Sequence, residues 1–332
     1  MWLPLWNSVE IESDRVLGNS GEIESDRFLG NSGEKSMATP ILKVEDLQKH
    51  FKAKNGHIVK AVNGVSFEIM PKTTYGLVGE SGSGKSTIGK CIIHLEEATS
   101  GKIIFKDNDI SGKLTKENKS MLRTSMQMIF QDPMASLNPK KTIGDIVGEG
   151  LDIHHSYSSR EERYEKICNI LKRTGLSEQY FNRYPGQLSG GQRQRAGISR
   201  ALILNPDLII ADECISALDV SVQAQVVNLI SDIQEEMGTA FLFIAHDLSM
   251  VKYISDKIGV LHLGYLLETG TPEEIFSNPV HPYTKSLLDT IPTINPVTEK
   301  RQRLLNYDYK ASGLDYSKGT WTHVEGEHFV LL

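Results

Sequence analysis

Two short segments of this chain carry residue types suited to handling phosphate, a divalent metal and an attacking water. The first is Gly79-Glu-Ser-Gly-Ser-Gly84-Lys85-Ser86-Thr87, which fits G-x-x-x-x-G-K-[ST]. Glycines let a backbone curl until successive N–H groups converge on an anion at the positive end of a helix dipole. Gly79, Ser81, Gly82, Ser83 and Gly84 would form that cradle, with Thr87 continuing into the helix. Lys85 would reach the β- and γ-phosphates of a nucleotide, and the Ser86 hydroxyl would hold Mg²⁺. The second segment, Leu208-Ile-Ile-Ala-Asp212-Glu213, is an apolar run ending in two carboxylates. Asp212 would orient the metal shell, and Glu213 would act on water as a general base. Together the two segments would make the two halves of a nucleotide site.

That chemistry needs a frame that delivers both segments to one edge, and the chain is patterned for one. Tyr75-Gly-Leu-Val78 is a short apolar strand feeding the glycine loop, and Thr87 to Leu95 continues as a helix. Further strands are expected at Met126 to Phe130, Leu208 to Ala211, Ala240 to Ala245 and Ile258 to Leu263, each paired with a helix-like stretch. This alternation implies an α/β fold with a mainly parallel sheet covered by helices. Ile41 to Val44 and Ala61 to Ile69 read as strands of an edge sheet, whereas Thr142 to Ser199 is polar-rich and helix-forming, an inserted helical subdomain near 133–200.

Leu188-Ser189-Gly190-Gly191-Gln192 separates this chain from most phosphate-loop proteins. With the glycine loop and the carboxylate strand, it resembles the ABC ATPase family. The resemblance implies a P-loop NTPase (RecA-like) core with an edge antiparallel β-subdomain. It further implies that Ser189, Gly190, Gly191 and Gln192 bind the γ-phosphate held by the opposite subunit, so that two ATP molecules are sandwiched in a head-to-tail dimer. By the same resemblance Gln131 is the loop glutamine that touches Mg²⁺ or water and couples to membrane subunits. Asp219, in Ser216-Ala-Leu-Asp219, belongs to the loop crossing the dimer interface. His246 is the switch histidine near the γ-phosphate, and Phe51 stacks on adenine.

Gln131-Asp-Pro-Met-Ala-Ser-Leu-Asn-Pro139, Val220-Ser-Val-Gln-Ala-Gln225 and Asn278-Pro-Val-His-Pro-Tyr-Thr-Lys-Ser-Leu-Leu-Asp-Thr-Ile-Pro292 are similar to the peptide/nickel importer branch. The resemblance spans about residues 40 to 292. It implies oligopeptide or dipeptide cargo, with nickel, glutathione or an opine as alternatives. The implied partners are a second related ATPase, two transmembrane permease subunits and an extracellular peptide-binding protein, which would place the chain at the cytoplasmic face of the cell membrane. Two departures stand out. Cys214 occupies the place usually held by proline, and no cysteine follows it to ligate the iron–sulfur cluster that some relatives carry.

Composition narrows the alternatives. A net charge of −6 and a pI near 6.0 disfavour nucleic-acid binding, and a soluble ABC protein of DNA repair or translation would carry a coiled-coil insertion or a second cassette. Cys91, Cys168 and Cys214 lie far apart, without metal-site spacing. No stretch reaches the ~20 apolar residues a bilayer span needs. Residues 11–22 recur at 23–34 with one change, and residues 1–38 read as a disordered or upstream extension, with Met37 a sensible start. Residues 39–292 are the expected ATPase domain and 293–332 an extension without an assigned role.

Overall fold

The apolar runs become one mixed sheet whose centre is buried on both faces. The computed structural model describes residues 39–53, 56–216, 218–291 and 307–332; the tandem repeat lies outside the described residues. Strands β3 (Thr74–Val78), β6 (Met126–Ile129), β7 (Leu208–Asp212), β8 (Ala240–Ala245) and β9 (Lys257–His262) run parallel in the order β6-β7-β8-β3-β9. Side chains alternate between the faces of a strand, and in β8 both faces meet apolar partners. Phe241, Phe243 and Ala245 join one core, while Ala240, Leu242 and Ile244 join the other. Ile209 and Ala211 of β7 are divided from Leu208 and Ile210 in the same way. Such strands read as unbroken hydrophobic runs.

The second core is closed by a four-stranded antiparallel sheet in the order β2-β1-β4-β5, built from β1 (Leu42–Lys52), β2 (Ile58–Ile69), β4 (Ser100–Phe105) and β5 (Asn108–Asp109). Leu42, Val44, Val62, Val65, Ile103 and Phe105 pack there with Ile88 and Ile92 of α1 (Lys85–Ile92). Helix α2 (Lys116–Ser125), capped by Thr115, leads back into β6. The described residues from 133 to 202 then form helices only: α3 (Pro133–Ser136), α4 (Ile143–His154), α5 (Arg160–Arg173) and α6 (Gly190–Leu202), with two short 3₁₀ turns. Their starts are set locally. Thr142 and Asp145 exchange side-chain-to-backbone bonds at α4, and the Ser159 hydroxyl accepts the Glu162 N–H at α5.

Helices α7 (Val220–Met237) and α8 (Leu248–Ile254) complete the crossovers, and β10 (Tyr265–Gly270), α9 (Pro272–Ser277) and α10 (Pro282–Asp289) follow. The C-terminal residues do not stand apart as an extension. After α11 (Tyr309–Ser312), β11 (Trp321–Glu325) and β12 (His328–Leu331) return to the main sheet. β12 pairs antiparallel with β10, Glu268 opposite Val330, and the sheet reaches eight strands in the order β11-β12-β10-β9-β3-β8-β7-β6. The described residues from 39 onward form one compact unit. The tail is drawn in by burial of Tyr316 and Leu331 in the first core and by a fully buried carboxylate, Glu268. Glu268 accepts N–H bonds from Val280 and His281 and lies 2.7 Å from His328 Nε2. A polar group removed from water needs such partners.

Candidate active site

The glycine loop leaves the carboxyl end of β3 and turns into α1, where a parallel sheet offers its crevice. Two glycines are required by close approach. A Cβ at Gly79 would stand 2.0 Å from the Leu261 carbonyl oxygen, and one at Gly84 would stand 2.3 Å from that of Ala61. Gly84 also caps α1 at φ +108°. The loop is thereby wedged between β2 and the β9–β10 turn, where Gly264 N–H donates to the Ser83 carbonyl at 2.8 Å. Ser81 and Gly82 are exposed, Ser83 is buried and Thr87 is half-buried in the first turn of α1.

Lys85 lies beneath this loop with 3% of its surface exposed. Its Nζ donates to the carbonyls of Gly79 (2.7 Å) and Glu80 (2.8 Å) and stands 3.8 Å from Glu213 Oε1. Burial lowers its pKa, opposed by the charges of Glu213, Asp212 and Glu80. The Ser86 hydroxyl donates to Asp212 Oδ1 at 2.7 Å. Burial raises the Asp212 pKa, the Ser86 bond opposes this, Glu213 adds to it, and Lys90 and Lys85 pull against it.

Glu213 follows β7 in the left-handed region at φ +44°, its N–H bonded to the Ile244 carbonyl at 3.0 Å. This turn sends the carboxylate back toward the loop, where Oε2 accepts from Gln131 Nε2 at 2.8 Å. Lys85, Ser86, Gln131, Asp212 and Glu213, scattered over 129 positions, thus form one connected cluster. His246, exposed beyond β8, lines a small cavity with Glu213, Ser216 and Gln223. Ser86, Gln131 and Asp212 could offer hydroxyl, amide and carboxylate oxygens to a cation, hard donors of the kind Mg²⁺ takes. The neighbouring Cys214 is a packed thiol, pushed up to about 12 by burial.

The other expected residues are held by local contacts of their own. Ser189 caps α6: its hydroxyl accepts the Gln192 N–H at 3.3 Å, and Gln192 Oε1 accepts the Ser189 N–H at 2.9 Å. Gly191 faces α7, where a Cβ would come 2.8 Å from Val222 Cγ1, and Gly190 lies beside Leu218. Asp219 stands exposed at the start of α7 without capping it through its side chain. Phe51, the penultimate residue of β1, is 37% exposed, with Lys49 Nζ 4.6 Å from its ring centroid. Among the described residues, none of these forms a hydrogen bond or ion pair with residues 79–87. A contributor missing from the sequence reading is Tyr283, whose hydroxyl accepts the Glu80 N–H at 3.0 Å across 203 positions.

The fold and this cluster define a P-loop ATPase cassette. Residues 62–216 match the family described as ABC transporter, and residues 267–313 match the one described as oligopeptide/dipeptide transporter, C-terminal region. The chain is 49% identical to the oligopeptide transport ATP-binding protein OppF of Bacillus subtilis (strain 168), covering 89% of this chain and 97% of that one. It is 47% identical to the dipeptide transport ATP-binding protein DppF of Lactococcus lactis subsp. cremoris (strain MG1363), covering 87% and 93%. Among solved structures, a dimeric bacterial ABC transporter cassette superposes with a TM-score of 0.64 at 29% identity, over 70% of this chain and 98% of that one. The same cassette in a dimeric post-hydrolysis state bound to ADP and Pi gives a TM-score of 0.64, with the same identity and coverage. The chain belongs to the ABC transporter ATP-binding family. No helix among the described residues is long and apolar enough to cross a membrane.

Proposed function

We propose that this chain is an ATP-hydrolysing subunit of an importer for oligopeptides or dipeptides. The observation that carries the enzymatic half is the Gln131–Glu213 bond beside Lys85, which holds a carboxylate at the mouth of the phosphate loop. Backbone N–H groups of residues 79–87 and the Lys85 ammonium bind the β- and γ-phosphates. Glu213 takes the proton of the attacking water, and His246, across the small cavity, contacts the γ-phosphate. Mg²⁺, held by Ser86, Gln131 and Asp212, would neutralise charge on the phosphates. Because Gln131 donates to Glu213 through its nitrogen, its amide oxygen remains an acceptor for that role.

The set of Ser189, Gly190, Gly191, Gln192 and Asp219 is directed at a second nucleotide. A turn rich in N–H donors at the N-terminus of the 13-residue α6 suits a phosphate, and the family resemblance directs it to a partner's loop. Phe51 supplies an exposed aromatic face for adenine. The partners are a second, related ATPase, two permease subunits and an extracellular peptide-binding protein, with the chain docked at the cytoplasmic face of the membrane. Peptide cargo is supported by the match of residues 267–313 and by the relatives' names. The test is mild detergent extraction of the tagged protein followed by mass spectrometry and ATP-driven uptake of labelled peptide into vesicles. Two polytopic proteins, a second ATPase and peptide uptake are expected; purification with ribosomes or DNA alone would remove the transport reading.

A further inference from the structure

The peptide unit joining Gly79 and Glu80 is held at both ends. Its carbonyl accepts Lys85 Nζ at 2.7 Å, and its N–H donates to the Tyr283 hydroxyl at 3.0 Å. Rotation of this unit would break both bonds and re-aim the cradle at its first turn. Tyr283 is itself tightly fixed. It is 1% exposed, its N–H donates to His281 Nδ1 at 3.0 Å, and its ring stacks on His262 with centroids 4.1 Å apart and planes 25° from parallel. Behind it, His262 Nδ1 lies 2.9 Å from the Tyr316 hydroxyl, which in turn lies 2.8 Å from that of Tyr307. The Tyr307 ring also meets Tyr283 edge-on at 5.7 Å. A continuous path of rings and hydroxyls therefore joins the C-terminal residues to the loop.

We propose that Tyr283 is a positioning residue for the phosphate loop, and that Tyr316 of the C-terminal tail acts on ATP binding through His262 and Tyr283. The inference rests on reading residues 79–87 as the ATP site. The tail does more than cover the first core: it holds the ring whose hydroxyl fixes the Gly79–Glu80 peptide. Removing that hydroxyl leaves a half-buried N–H without its partner, whereas the phenyl ring that remains still fills the space beside His262.

The experiment uses the full chain and four variants, Y283F, Y316F, their double and K85A, with ATP affinity, KM, kcat and melting temperature measured on each. Y283F is expected to raise Kd and KM for ATP about fivefold, the scale of one lost hydrogen bond to a half-buried amide, with kcat within twofold. Y316F is expected to raise Kd two- to fivefold and to add nothing to Y283F. A Y283F chain that melts lower but binds ATP within twofold of wild type has lost only packing, and overturns the proposal. Full additivity in the double variant overturns the route through His262. Should Y283F fail to fold, Y316F decides: an unchanged Kd overturns the proposal. K85A checks the foundation separately, because ATP binding that survives this change removes the site reading itself.

Discussion

Glu213→Gln isolates the role of the carboxylate with the least disturbance to its surroundings. Glutamine is nearly isosteric and tolerates φ +44° no worse than glutamate, and its amide oxygen still accepts the Gln131 N–H that now spans 2.8 Å. Two things change. The proton acceptor for water is lost, and so is the negative charge 3.8 Å from Lys85. At an effective dielectric near 20 that attraction is about 4 kcal/mol before desolvation is subtracted, and desolvation of a buried pair offsets most of it. Lys85 keeps the carbonyls of Gly79 and Glu80, so the loop stays assembled. A triphosphate also meets one fewer carboxylate, so its affinity is expected to hold or tighten.

The rate is where the loss falls. General-base assistance contributes about 10²- to 10⁴-fold, equivalent to roughly 3–5.5 kcal/mol of barrier. Single-turnover phosphate release should therefore slow by that factor in the assembled transporter, with ATP Kd within threefold of wild type and a long-lived ATP-bound dimer seen by size exclusion. Hydrolysis within twofold of the wild-type rate would refute the assignment of Glu213 as base. Loss of ATP binding would instead show that Glu213 serves the loop as a structural anchor.

Gly84→Ala places a Cβ 2.3 Å from the Ala61 carbonyl at φ +108°, a strain of ~2 kcal/mol or more. A fall in melting temperature of about 3 °C or more is expected, together with loss of ATP binding; a variant that binds ATP normally would show that the loop relaxes away from β2. Stability should also respond to acid through the histidines beside Tyr283. Burial lowers His262 to about 4, helped by the charge of His281, and burial lowers His281 to about 4 against the opposing pull of Glu268. Unfolded imidazoles titrate near 6.5, so the unfolded chain binds more protons than the folded one between pH 6.5 and 4. The stability these groups contribute is full above about 6.5 and declines by up to a few kcal/mol as pH falls to 4. The melting temperature of His262→Gln should lose part of that slope, and an unchanged slope would show that other groups set it.

What could be read along the chain was whatever neighbouring residues decide among themselves. The unbroken run Ala240–Ala245 forecasts a strand covered on both faces, and the structure sends its alternate side chains into two cores. The glycine loop, its lysine and the signature turn at Ser189 are contiguous strings whose spacing is their chemistry, so the family resemblance was legible before any fold. Residues made to cooperate by distant contacts were not. No spacing rule links Glu80 to Tyr283, or Glu268 to His328, because each pair is made by strands and turns that meet only when the sheet closes. The tail reads as an extension without an assigned role, and only tertiary burial of Tyr316 and Leu331 ties its described residues into the edge of the main sheet. The same holds for Glu213. Its sequence position follows a strand, but the left-handed turn that carries its carboxylate onto Gln131 and toward Lys85 is a property of the assembled crevice, where the bonds that stabilise that backbone first exist.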